Sequence, residues 1–241
     1  MEICIDGRVC TCEQGEYLID VARRNGVEIP TLCHHEGLRG MGHCRVCIVE
    51  LDGKIVPACT TRVEGPCTVE TDSGDVQKKR GMILALLRKS APDSPEIAAL
   101  AERWNAPELN RLQAGEGACI LCGLCVEACR KMGTGAIDSM ARGIQKKVST
   151  PYDRPSAACI GCASCAQVCP TGAIPVIDDA DTRSIWGRSF HLKRCRGCGA
   201  VLGTDELLHH VQEQAGGEEE DLCEGCRKYR AAEMIRTFYS S

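Results

Sequence analysis

The apolar positions of this chain change their period several times. Ile3 and Ile5 alternate with polar neighbours, Asp6–Gly7 is a hairpin-turn pair, and Val9 to Cys12 reads as the return strand. Between Tyr17 and Asn25 the spacing becomes helical, with Leu18, Val21 and Ala22 on one face and Gly26 as the stop. Val46 to Leu51 reads as a strand, Asp52–Gly53 as a turn, Lys54 to Ala58 as the return, and Val69 opens a last strand. Helical spacing comes back from Val76 to Arg88, where Arg80, Ile83, Leu84 and Leu87 share a stripe. Ser94–Pro95 marks another helix start, with Ile97, Leu100 and Ala101 behind it. Further on, Thr204 or Asp205 caps a helix through Leu207, Leu208 and Val211. Lys228 to Tyr239 reads as a final helix whose face of Ala231, Met234, Ile235 and Phe238 suits docking on the domain or on a partner.

Composition changes this picture in one respect. Aromatic residues make up only 3% of the chain, so something other than large rings must help fill its interiors. Twenty of the 241 residues are cysteines. A disulfide scaffold is the reading for short secreted domains, whereas this chain is long and opens without the basic and apolar regions of a signal peptide. The longest apolar patch, Met82 to Leu87, is far too short to span a membrane. These features predict a reduced, cytoplasmic protein. A net charge of −4 argues against nucleic-acid binding, and the acidic run Glu218–Glu219–Glu220–Asp221 reads as a solvated loop.

The cysteines fall into four ordered sets of four, and thiolates at this density bind soft metal. Cys33, Cys44, Cys47 and Cys59 lie on predicted loops at C-x10-C-x2-C-x11-C. The first gap is longer than in the plant-type [2Fe–2S] spacing, and zinc sites pair their ligands at shorter intervals. Gly37, Gly40 and Gly42 give the loop freedom to wrap a small cluster. Hairpin, helix, then further strands is the order of a β-grasp ferredoxin domain. His34, His35 and His43 flank these cysteines, but four thiolates suffice, so they read as loop residues. Cys4, Cys10, Cys12 and Cys67 remain, and read as small core residues.

The stretch IPTLCHHEGLRGMGHCRVCIVELDGKIVPACTTRV resembles the amino-terminal [2Fe–2S] domain of the large iron–sulfur subunit of respiratory NADH dehydrogenase. The same domain occurs in the diaphorase iron–sulfur subunit of NAD-linked hydrogenases and at the start of electron-bifurcating hydrogenases. The resemblance implies Cys33, Cys44, Cys47 and Cys59 as [2Fe–2S] ligands. Those families usually carry a His-x3-Cys-x2-Cys-x5-Cys motif next, for an additional [4Fe–4S] cluster. This chain has no cysteine or histidine between Lys78 and Gly117, so that cluster is expected to be absent and the relay one cluster shorter.

C-x2-C-x2-C-x3-C then occurs twice, forty residues apart, each copy followed by Gly-Ala-Ile: Gly135–Ala136–Ile137 and Gly172–Ala173–Ile174. This is the bacterial two-cluster ferredoxin run, whose fourth cysteine ligates the other cluster. One [4Fe–4S] cluster is therefore expected on Cys119, Cys122, Cys125 and Cys169, and the second on Cys159, Cys162, Cys165 and Cys129. Arg130 stands where the second copy has Pro170. Last, Cys195–Cys198 and Cys223–Cys226 form two C-x2-C knuckles separated by 24 residues. Paired knuckles favour a structural zinc, with a further [4Fe–4S] cluster as the alternative. His209 and His210 read as helix-surface residues.

The expected architecture is α+β. A β-grasp [2Fe–2S] domain spans residues 1–78, a helical connector 79–114, a two-[4Fe–4S] ferredoxin domain 115–180, and a small zinc-ribbon-like Cys4 module 181–241. No G-x-G-x-x-G follows a predicted strand, so NAD and flavin should be bound elsewhere. All irons are fully ligated, which suits single-electron relay and leaves no catalytic residue to assign. By resemblance, the chain reads as the iron–sulfur subunit of an NAD-linked or electron-bifurcating hydrogenase. Its partners would be a flavin-containing NAD(P)H-oxidising subunit and a hydrogenase or other catalytic subunit. The electron-input subunit of a formate dehydrogenase or related bifurcating reductase is the runner-up. A stand-alone ferredoxin-like carrier or redox sensor is the reading from a different class.

Overall fold

The structure, a computed structural model, describes residues 1–38, 41–216 and 221–239, without the side chains of 237–239. Gly40, acidic residues 218–220 and the Phe238 side chain thus lie outside the described residues. The chain folds as two compact units, Met1–Ala128 with Val168–Ala173, and Cys129–Gln167 with Ile174–Ser241.

In the first unit, β1 (Glu2–Ile5) and β2 (Arg8–Thr11) form a hairpin closed by Asp6 and Gly7. Both turn residues have positive φ, 49° and 77°, which matches the right-handed twist of the flanking strands. After helix α1 (Leu18–Arg24), β3 (Ile48–Leu51) and β4 (Lys54–Pro57) form a second hairpin, again through an Asp-Gly pair. Strand β5 (Thr68–Glu70) then inserts between the hairpins, giving the order β2-β1-β5-β3-β4. It runs parallel to β1 and antiparallel to β3. The buried face of α1, Leu18 to Ala22, closes one core with Ile3, Ile5, Val49, Val69, Cys10 and Cys12. Cys10 and Cys12 are therefore packing residues, as their strand position suggests.

Helix α2 (Gly74–Ser90) is capped by the Ser73 hydroxyl, which accepts from Val76 N–H. Helix α3 (Pro95–Arg103) is capped by Ser94, which accepts from Ile97 N–H at 3.3 Å. Their inner faces join Leu32, Val46 and Leu124 in a second core, with Leu124 supplied by α4 (Leu124–Lys131). Arg80 lies on the same stripe and is fully buried.

In the second unit, β6 (Asp138–Met140) pairs with β7 (Lys147–Ser149), and α5 (Ser164–Gln167) is a single turn. A four-stranded antiparallel sheet follows, in the order β11-β10-β9-β8. Its strands are β8 (Ile177–Asp178), β9 (Thr182–Ile185), β10 (Arg188–Arg194) and β11 (Val201–Thr204). The sequence reading did not foresee this sheet, although Phe190 and Leu192 alternate with polar residues and Trp186–Gly187 makes the turn. Thr204 caps α6 (Asp205–Ala215) by accepting from Leu207 N–H. Helix α7 (Glu224–Tyr239) starts four residues before the expected Lys228, and its Met234 and Ile235 are exposed.

Candidate metal centres

All twenty cysteines are free thiols. The first set is the driest: Cys33, Cys44, Cys47 and Cys59 are each at most 4% exposed, so water has no access to the sulfurs. Cys33 Sγ accepts the Cys44 backbone N–H at 3.5 Å. Hydrogen bonds from the Cys44 and Cys59 thiols hold Cys33 far below the ordinary thiol range, at about 2. The same contact with Cys33 pushes Cys44 up. Four interior thiols in mutual contact, with amide donors aimed at one sulfur, form a donor set that suits a small thiolate-bound cluster. Gly42 stands at φ 64°, where an added Cβ would meet Thr60 Cγ2 at 3.0 Å, so the ligand loop is drawn in close.

Arg80 holds the other side of that loop. Its Nε donates to Val46 O at 3.0 Å and its Nη2 to Ile48 O at 2.6 Å, the carbonyls on either side of Cys47. Nη2 also donates to Thr71 O at 3.1 Å, and the guanidinium stacks 4.2 Å over Trp104. Burial lowers the Arg80 pKa to about 10. Of the flanking histidines, His35 and His43 are exposed. His34 is largely enclosed, with Nε2 3.7 Å from Asp20 and a buried Nδ1 that has no hydrogen-bond partner.

Cys119, Cys122 and Cys125 belong to the first unit, and so does Cys169 from the second repeat. Cys122 and Cys125 are pushed up to about 11 and about 12 by burial, and Cys119 and Cys169 bear electrostatically on both. Cys122 shares the second core with Cys33 and Cys44, so the first two cysteine sets are joined by continuous apolar packing. Conversely, Cys129 from the first repeat belongs to the second unit and lines one cavity with Cys159, Cys162 and Cys165. Burial pushes Cys165 up to about 11. The repeated Thr-Gly-Ala-Ile has a use in both copies. Ala136 N–H donates to Cys129 Sγ at 3.2 Å, and Ala173 N–H donates to Cys169 Sγ at 3.3 Å. Thr134 Oγ1 and Thr171 Oγ1 approach the same sulfurs at 3.2 and 3.6 Å. Sequence inspection found the repeat but not these donors; the recurrence of Thr-Gly-Ala after each fourth cysteine was the available signal.

Cys195, Cys198, Cys223 and Cys226 converge more tightly. Among the described residues they are the one group of metal-ligating side chains whose donor atoms all lie within 4.8 Å of one another. Cys198 and Cys223 Sγ are 3.7 Å apart. Thiolates at about 2.3 Å around one tetrahedral ion stand roughly 3.8 Å apart. A cubane cluster puts each thiolate on a different iron and spreads them farther. The Cys223 and Gly197 N–H groups donate to Cys195 Sγ at 3.3 and 3.4 Å, and these amide bonds, led by Cys223, lower the Cys195 pKa to about 6. His209 and His210 sit on α6; His210 Nε2 is 2.7 Å from Met132 O and neither joins the four thiols.

Comparison with known proteins bears on the first and middle thirds of the chain. Residues 1–74 match the 2Fe-2S iron-sulfur cluster binding domain, and residues 118–173 match the 4Fe-4S dicluster domain. The chain is 29% identical over 208 residues to NADP-reducing hydrogenase subunit HndD of Solidesulfovibrio fructosivorans, covering 72% of this chain and 36% of the relative. It is 40% identical over 87 residues to NAD-reducing hydrogenase HoxS subunit gamma of Cupriavidus necator, covering 36% of this chain and 37% of the relative. The chain thus spans little more than a third of each of these relatives. A solved structure of an NAD+-reducing [NiFe]-hydrogenase in the H2-reduced state superposes with a TM-score of 0.63. It shares 24% identity over 71% of this chain and 85% of that one, which establishes likeness of fold. The chain therefore carries a 2Fe-2S iron-sulfur cluster binding domain and a 4Fe-4S dicluster domain, and is similar over part of its length to hydrogenase subunits.

Proposed function

We propose that this iron–sulfur chain is an electron-transfer subunit of an NAD(P)-linked oxidoreductase complex of the hydrogenase type. It would relay single electrons between a flavin-containing NAD(P)H-oxidising subunit and a hydrogenase or other catalytic subunit. The observation that carries the reading is the pairing of a 2Fe-2S domain with a dicluster domain in one chain whose relatives are NAD(P)-linked hydrogenase subunits.

The ligand assignment is one [2Fe–2S] cluster on Cys33, Cys44, Cys47 and Cys59, a first [4Fe–4S] on Cys119, Cys122, Cys125 and Cys169, and a second on Cys129, Cys159, Cys162 and Cys165. The crossed use of Cys129 and Cys169 is supported by their exchange between the two compact units. When bound, such clusters supply reversible one-electron transfer; the protein sets position and potential. Cys33, Cys44, Cys47 and Cys59 are buried away from water, and the apolar core shared by Cys33, Cys44 and Cys122 would lower the solvent reorganisation at clusters held there. The amides of Ala136 and Ala173 aim at thiolate sulfurs and stabilise added negative charge there.

A β-grasp reading of the first domain is supported by the order β2-β1-β5-β3-β4 with α1 packed on it. A zinc-ribbon-like reading of the Cys195, Cys198, Cys223 and Cys226 module is supported by the single-ion spacing of its sulfurs. Among the described residues no helix is long and apolar enough to cross a membrane, which fits a cytoplasmic complex.

The test is Cys47→Ala in the purified complex. NAD(P)H should still reduce an artificial dye at the flavin subunit, while turnover to the terminal acceptor stops. If that turnover survives with the [2Fe–2S] signal gone, the proposed relay is wrong.

A further inference from the structure

The set of Cys129, Cys159, Cys162 and Cys165 has an indole for a neighbour. The turn of the β9–β10 hairpin carries Trp186, whose φ of 53° is a left-handed conformation that a bulky residue adopts at a cost. The turn puts the indole against the ligand loop: Trp186 Nε1–H donates to Cys165 Sγ at 3.4 Å. Trp186 also lines the cavity that Cys129, Cys159, Cys162 and Cys165 share.

The hairpin is clamped in this position from both strands. Arg188 donates through Nη1 to the carbonyls of Ser156 at 3.0 Å, Ala157 at 3.1 Å and Cys159 at 2.6 Å. Arg183 donates to Gly161 O at 3.2 Å. Thr204, at the end of β11, donates its hydroxyl to Ile160 O. Gly161 stands at φ +67°, and a Cβ there would meet Phe190 Cγ at 2.7 Å and Thr204 Cγ2 at 2.9 Å. The loop from Cys159 to Cys165 is thus pressed onto the sheet as closely as a bare glycine allows.

We propose that Trp186 is a tuning residue: its indole N–H bonds to the Cys165 thiolate and raises the reduction potential of the second [4Fe–4S] cluster. This rests on the ligand assignment above. Reduction adds negative charge to a cluster and its thiolates, so a fixed N–H donor stabilises the reduced form more than the oxidised one. Arg183 and Arg188 contribute less net charge than they carry, because Asp178 sits 2.7 Å from Arg183 and Glu206 3.6 Å from Arg188. Their main work is to hold the loop.

The experiment is an EPR-monitored redox titration of the full chain, reconstituted anaerobically, with Trp186→Phe against the parent. Cys122→Ala identifies which [4Fe–4S] signal belongs to the first site. Trp186→Phe should shift the second downward and leave the first and the [2Fe–2S] in place. Pulsed ENDOR on the parent carrying tryptophan labelled with 15N at the indole nitrogen should detect a 15N coupling at the second cluster, and this decides the matter if the variant fails to hold that cluster. An unchanged midpoint, an equal shift of all three, or no such coupling would overturn the proposal. Absence of both [4Fe–4S] signals from the parent would bring down the ligand assignment instead.

Discussion

Replacing Arg80 with methionine should loosen the [2Fe–2S] ligand loop without touching a ligand. Strand β5 ends at Glu70, and beyond it the carbonyls of Val46, Ile48 and Thr71 are taken up by the Arg80 guanidinium. Methionine fills much of the volume but donates nothing. Leaving three buried carbonyls without that donor costs about 1–3 kcal/mol each, or roughly 6 kcal/mol together. Against this, the wild type carries a desolvated charge. Burial lowers the Arg80 pKa from 12.5 to about 10, a penalty of roughly 3 kcal/mol on the cation that methionine removes. The net loss is about 3 kcal/mol, equivalent to roughly a hundredfold in an equilibrium constant. The assay is the rate at which urea bleaches the visible circular dichroism of the [2Fe–2S] site under argon. It should rise by up to about a hundredfold in Arg80→Met, depending on how much of the loss falls on the unfolding barrier. Arg80→Lys should be intermediate, because an ammonium lacks the fork that reaches three carbonyls. A rate within twofold of wild type would refute the argument that this buried cation secures the loop around Cys47.

Other consequences follow from the same structure. Cys169→Ala should remove the [4Fe–4S] signal of the Cys119, Cys122 and Cys125 site; loss confined to the Cys159, Cys162 and Cys165 site, seen by EPR, would sink crossed ligation. Anaerobic metal analysis should find about ten iron atoms and about one zinc per chain, whereas around four further irons without zinc would make the Cys195 module a cluster site. Gly161→Ala combines a left-handed backbone, worth about 1–2 kcal/mol, with overpacking against Phe190 and Thr204, worth about 1–3 kcal/mol. The variant should reconstitute its [2Fe–2S] normally and its second [4Fe–4S] poorly; a full complement of both would show that the sheet yields at no cost.

The centres were legible in the primary structure because metal ligation constrains residue type and spacing together. Thiols at short intervals converge when a loop wraps them, and the C-x2-C-x2-C-x3-C repeat marks its candidate ligands without any knowledge of packing. Local signals likewise marked both Asp-Gly hairpins and the Ser94 cap of α3, since each depends on a few adjacent residues. What surrounds the thiolates was decided elsewhere. Arg80 looked like one polar member of an apolar stripe; it is buried because β5 stops short and leaves carbonyls facing it. Trp186 carried no signal as a cluster neighbour, for it comes from a sheet twenty-one residues beyond Cys165. The type and spacing of the candidate ligands are local properties of the chain, and so are the Ala136 and Ala173 amides that follow Cys129 and Cys169. The indole on Cys165 comes from a hairpin distant in sequence, so only the tertiary structure assigns it.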